Sequence, residues 1–191
     1  YILITHAHID HSGLLPLLYS HGFRGQVFAT KATCELCNIM LKDSAHIQMF
    51  EAEWRNRKAK RSNGTLKEFI PLYDAKAVYE VTKQFVGVKY DEIINIDDNV
   101  SVRFKDVGHL LGSASIEVWA KEKNKEAEVS KKIVFSGDIG NINKPITKDP
   151  VMVDTADYVV MESTYGNRSH NGTPDYVKEL VSVFKRTFDR G

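Results

Sequence analysis

The chain alternates short, wholly apolar runs with polar turns, and the spacing of those runs predicts its elements. Tyr1-Ile2-Leu3-Ile4 is aromatic and β-branched and reads as a buried strand, and the case in which it stays extended through His8 bears on the histidines below. Leu14 to Leu18 predict a helical stretch ending at His21-Gly22, and Gln26 to Thr30 a second strand. Thr30 or Thr33 is placed to cap a helix carrying Leu36, Ile39, Met40 and Leu41, which continues as a charged helical pattern from Asp43 to Ala59. Pro71-Leu72-Tyr73-Asp74 open another helix, with Ala77, Val78, Val81 and Phe85 on one face. Strand-like runs follow at Ile93–Ile96, Val100–Phe104 and Ser115–Trp119. The polar stretch Lys121 to Lys132 reads as a loop or hairpin end. Ile133-Val134-Phe135 and Tyr158-Val159-Val160-Met161 read as buried strands, and Asp175 to Phe188 as a helix with Val177, Leu180, Val181 and Phe184 on one face. Strands and helices both carry core faces, so the class is mixed α/β, built in layers.

Composition narrows this picture only slightly. At 191 residues the chain is long enough for one domain with a real core. Its 26 basic and 25 acidic residues nearly cancel, so any contact with nucleic acid must come from a local patch. Arg55, Arg57, Lys58, Lys60 and Arg61 form such a run ahead of Ser62-Asn63-Gly64; it reads either as a solvated helix end or as a phosphate-contacting patch. No apolar run has membrane-spanning length, and no membrane association is expected. Cys34 and Cys37 form one Cys-x-x-Cys with no second pair to complete a structural zinc site, so they read as two thiols one turn apart on a helix. Few cysteines and no export signal favour the cytoplasm. Tyr1 already lies inside a strand and Gly191 closes just after a helix, so the chain reads as a segment of a longer protein.

The chemistry concentrates at Thr5-His6-Ala7-His8-Ile9-Asp10-His11-Ser12-Gly13. Imidazole and carboxylate are ligand types that zinc accepts. On an extended strand His6 and His8 point to one side and can share a metal. Asp10 and His11 fall where the chain turns into a helix, and can serve a second one. The plainer reading makes Asp10 or Ser12 an N-cap. Two further groups stand at strand ends: His109 in Gly108-His109-Leu110-Leu111-Gly112-Ser113-Ala114, and Asp138 in Ser136-Gly137-Asp138. Alone, each would be an ordinary loop or turn residue; together with the opening cluster they supply the fifth and sixth ligands of a two-metal site. His21 at a helix end and His46 on a polar helix read as structural, and His170 is left unassigned.

Taken together, His6-x-His8-x-Asp10-His11, His109 and Asp138 resemble the metallo-β-lactamase superfamily. Glu162-Ser163-Thr164-Tyr165-Gly166 after a strand is similar to its β-CASP branch of nucleases, which includes the pre-mRNA 3′-end endonuclease subunit and its bacterial and archaeal relatives. The resemblance spans His6 to about His170. It implies a four-layer αββα fold, incomplete here at both ends, with residues 1–165 forming the metallo-β-lactamase domain and 166–191 the start of a β-CASP domain. It also implies two zinc ions: His6, His8 and His109 on one, Asp10 and His11 on the other, Asp138 bridging, and the second site incomplete in this segment. Asp10, Asp138 and Glu162 would then serve catalysis. The activity implied is hydrolysis of RNA phosphodiester bonds by a hydroxide activated between two metals, leaving a 3′-hydroxyl and a 5′-phosphate. Single-stranded RNA is the expected substrate, and a homodimer a candidate assembly. The competing readings are a hydrolase of another ester or thioester on the same fold, and a non-catalytic metal-binding subunit of an RNA-processing complex.

Overall fold

The computed structural model describes residues 1–61, 68–123, 128–168 and 175–191. Ser62-Asn63-Gly64, which follow the basic run, and His170 lie outside them. Two sheets stack with helices on one side. The first sheet holds β1 (Ile2–Leu3), β2 (Val27–Thr30) and β3 (Phe85–Val88), all parallel, in that order. The second holds β4 (Ile94–Asn95), β5 (Val100–Asp106), β6 (Ala114–Lys123), β7 (Glu128–Phe135) and β8 (Tyr158–Val160), antiparallel except for the parallel β7–β8 pair. The helices are α1 (Ile9–Ser12), α2 (Leu15–Ser20), α3 (Lys31–Arg61), α4 (Ala75–Thr82) and α5 (Tyr176–Phe188).

Strand alternation builds the layers. Val27 and Ala29 of β2 face the helices, in a core with Cys37, Leu41, Val78 and Val81. Phe28, between them, faces the second sheet and packs with Val88, Val102, Phe104 and Ile116. Phe104 and Val102 are fully buried, and each such side chain contributes about 1.5–3 kcal/mol. The order is therefore helices, sheet, sheet, the first three layers of an αββα arrangement. No helix among the described residues is long and apolar enough to cross a membrane.

Several expectations need correction. β1 ends at Leu3 rather than running to His8, because Thr5 turns away to accept a hydrogen bond from Ala114 N (2.8 Å) in the second sheet. Phe85 does not continue the helix of Ala77 and Val81; it opens β3, a strand hidden by the helical spacing of Val81 and Phe85. Pro71 to Tyr73 precede α4, whose N-cap is Asp74, with its carboxylate accepting from Ala77 N at 2.8 Å. The polar stretch after Trp119 is mostly strand, since β6 runs to Lys123 and β7 starts at Glu128. β8 was expected to be buried, yet Tyr158, Val159 and Val160 are each more than half exposed. β8 edges the second sheet, and α5, whose N-cap is Asp175, has no buried residue to cover it.

Candidate metal centre

The site forms where the C-terminal ends of β1, β5, β7 and β8 open onto one rim. After β1, His6 and His8 lie in irregular chain and Asp10 and His11 in the single turn α1. The turn between β5 and β6 carries His109, the segment after β7 carries Asp138, and Glu162 follows β8.

Four ligand-type groups converge. His6, His8, His109 and Asp138 each offer one donor atom, all within 4.8 Å of one another. His8 Nδ1 is 3.1 Å from His6 Nε2 and 3.2 Å from His109 Nε2. The three rings are mutually near-perpendicular, at 78–82°. Hydrogen bonding does not explain this meeting: a neutral imidazole nitrogen has one proton or one in-plane lone pair, so His8 Nδ1 cannot satisfy both neighbours. A cation at the common point can. Tetrahedral zinc–nitrogen bonds of 2.0–2.1 Å would place the nitrogens about 3.3 Å apart, close to the spacings here. The donor set therefore fits a divalent metal.

Asp138 lies between two groups. Its Oδ2 is 3.5 Å from both His6 Nε2 and His109 Nε2, while Oδ1 is 3.4 Å from His11 Nε2. His11 Nε2 is in turn 3.5 Å from Asp10 Oδ2. All six residues singled out as ligands thus meet on one rim, although His6 and His8 converge without the strand alternation expected to align them. Asp10 and Ser12 do not cap α1; His8 occupies that position.

Burial tunes the histidines. His6 is fully buried, which lowers its pKa to about 4; nearby His11 lowers it further and Asp138 opposes. Burial also lowers that of His109, against the pull of Asp138. Both are held as neutral imidazoles, the form that binds metal.

Supporting groups fix the rim, and of these the sequence had singled out only Glu162 as a site residue. Ser113 Oγ accepts from His109 N (3.1 Å) and Leu110 N (3.2 Å). Thr30 and Thr33 both donate to the Gly112 carbonyl, at 2.7 and 2.8 Å. Gly112 has φ +85°, and a Cβ there would come within 2.6 Å of Thr33 N. Glu162 Oε1 accepts from Ile139 N at 2.6 Å, and its own amide donates to Ser136 Oγ at 3.0 Å, so Glu162 grips the segment that presents Asp138. The one legible signal for these supports was a hydroxyl residue beside glycine, as in Gly112-Ser113 and Ser136-Gly137. Thr30 and Thr33 left none, being 79–82 positions from Gly112. Cys34 and Cys37 are free and outside the cluster, His21 ends α2, and His46 is exposed on α3.

The chain is 32% identical over 190 residues, its whole length, to ribonuclease TTHA0252 of Thermus thermophilus. It is 30% identical over 194 residues, again its whole length, to the transcription termination factor FttA of Pyrococcus abyssi. Along its whole length the chain thus resembles β-CASP relatives on the metallo-β-lactamase fold. It spans 37% of the length of the first relative and 26% of the second. No family profile matches it. Among solved structures, the Rm3 metallo-β-lactamase aligns over 77% of this chain and 44% of its own, with TM-score 0.40 and 18% identity.

Proposed function

We propose that this β-CASP chain carries the metal site of a zinc-dependent ribonuclease acting on single-stranded RNA in the cytoplasm. The observation supporting it is the convergence of three mutually perpendicular imidazoles with Asp138. In this reading His6, His8 and His109 hold one ion, Asp10 and His11 a second, and Asp138 both; residues 166–191 begin the β-CASP domain. Bound divalent ions supply an acidified water and neutralise the charge of a phosphodiester. Asp138, partly open to solvent, takes the proton of the attacking water. As the water oxygen bonds to phosphorus the P–O3′ bond breaks, giving a 5′-phosphate, and the 3′-oxygen leaves as a hydroxyl once protonated. Glu162 keeps Asp138 aimed through Ile139 N. The names of both relatives, a ribonuclease and a transcription termination factor, favour RNA over a small ester.

The test is cleavage of labelled single-stranded RNA by the zinc-loaded full-length protein. Asp138→Asn is expected to slow cleavage by about 100-fold or more, general acid–base help being worth that much, with an unchanged melting temperature. Undiminished cleavage, or hydrolysis of thioesters with none of RNA, overturns the proposal.

A further inference from the structure

The last turns of α3 form a surface that the metal centre does not use. Arg55 is tied to Glu51, Nη2 to Oε1 2.6 Å. Among the described residues no carboxylate lies within ion-pair distance of Arg57, Lys58, Lys60 or Arg61. At i,i+3 and i,i+4 spacings these cations repel one another. A helix C-terminus favours a cation in its last turn, which accounts for some of them. It does not account for Trp54, which stands 53% exposed, with Lys58 Nζ 5.3 Å from the ring centre. Trp54, Arg57, Lys58 and Arg61 line one groove.

The face is held, not frayed. Ala52 and Ala59 are buried on the opposite side, and Asn56 exchanges two hydrogen bonds with the Phe69 backbone, at 2.9 and 2.8 Å. Unpaired guanidinium and ammonium groups suit phosphates, and an exposed ring between them suits the face of an unpaired base. A duplex hides those base faces. Ile47 and Phe50, 55% and 60% exposed on the same face of α3, give a membrane surface only a short apolar strip beside the cations, and vesicles are set against RNA in the test below.

We propose that the Trp54–Arg61 face of α3 is a second binding site, for the backbone and bases of single-stranded RNA, distant from the metal centre. The choice of RNA among phosphate polymers rests on the ribonuclease reading. Thr33 touches the His109 turn through Gly112, and Arg57 lies 24 positions further along α3. At 1.5 Å per residue this is about 36 Å, or about ten stacked nucleotides at 3.4 Å each. Strands of that length reach both sites, and very short ones cannot.

The experiment measures binding of fluorescein-labelled oligouridylates of 30 and 5 nucleotides to the full-length protein by anisotropy across a salt series. The Arg57→Ala/Lys58→Ala/Arg61→Ala variant is expected to bind the 30-mer about tenfold more weakly. Its log–log salt slope should shrink by about 2, at roughly 0.7 per lost phosphate contact. Trp54→Ala should weaken the 30-mer about fivefold or more with the slope kept. Tryptophan emission of the protein should be quenched by the 30-mer, and that quenching should be lost in Trp54→Phe, a conservative change that leaves Trp119 as background. Unchanged affinity and slope, equal losses for both oligomers, or binding to phosphatidylserine vesicles with none to RNA overturns the proposal. RNA bound at this face but left uncut strikes the ribonuclease reading alone; RNA cut by a variant of unaltered affinity strikes this one alone.

Discussion

Asp138 and His8 show how much one side chain's chemistry depends on its company. His8 Nδ1 faces two other ring nitrogens at hydrogen-bond distance and can satisfy only one of them, so the cluster fits a shared cation better than a bonded network. Residue types alone were enough to nominate all six ligand candidates, because histidine and aspartate in such density have few other uses. The same scale explains what Cys34 and Cys37 are not. Burial raises both thiols to about 11, and Ser12 or the local backbone lowers them only in part. At pH 8 about one in a thousand is then thiolate. Iodoacetamide should leave both unmodified in the native protein at pH 8 and label both in urea, as read by intact mass; prompt native labelling would contradict their burial.

At the scale of elements, the second sheet depends on a charge buried on the face turned away from the first. Glu117 of β6 is 1% exposed and bonds Arg103 of β5 (Nε 2.5 Å, Nη2 3.1 Å) and Lys132 of β7 (Nζ 2.6 Å). Burial pushes the carboxyl pKa up, but the two cations more than reverse this and hold it below the ordinary value of 4.5. The stabilisation is therefore complete above that value and is lost as pH falls through the lower folded one. Glu117→Ala leaves two cations facing each other and should cost about 3 kcal/mol in urea unfolding at pH 7. The gap to wild type should narrow as the pH is lowered below 4.5. No periodicity announced this: a glutamate in Ser115–Trp119 reads as solvent-facing until strands on both sides bring it partners. The same limit explains β3, whose Phe85 continues a helical spacing and becomes strand only by pairing with Val27.

For the molecule as a whole, the metal rim exists because the helical layer is clasped to the second sheet. Thr30 and Thr33, at the end of β2 and the start of α3, reach across to Gly112 and so set the height of the turn holding His109. Thr30→Val/Thr33→Val removes both donors while keeping shape, and leaves the half-buried Gly112 carbonyl without them. Zinc affinity by competition with a chelating dye should fall about tenfold or more, and Thr30→Ser/Thr33→Ser should restore it. If affinity survives the valines, the clasp does not position the site. The exposed apolar row of β8, with the hollow of about 260 Å³ lined by Val134, Val159 and Met161, belongs to this scale too. Its residues were read as buried because an uninterrupted apolar run carries no record of which neighbour covers it.

The sequence by itself nominated the ligand candidates, predicted the alternation of short strands with helices, and carried the resemblance to the superfamily, because those rest on residue type and local spacing. The tertiary structure alone decided which donors meet, what supports them, and which apolar faces are covered. Each of these depends on contacts between residues tens of positions apart, and local spacing carries no information about distance through space.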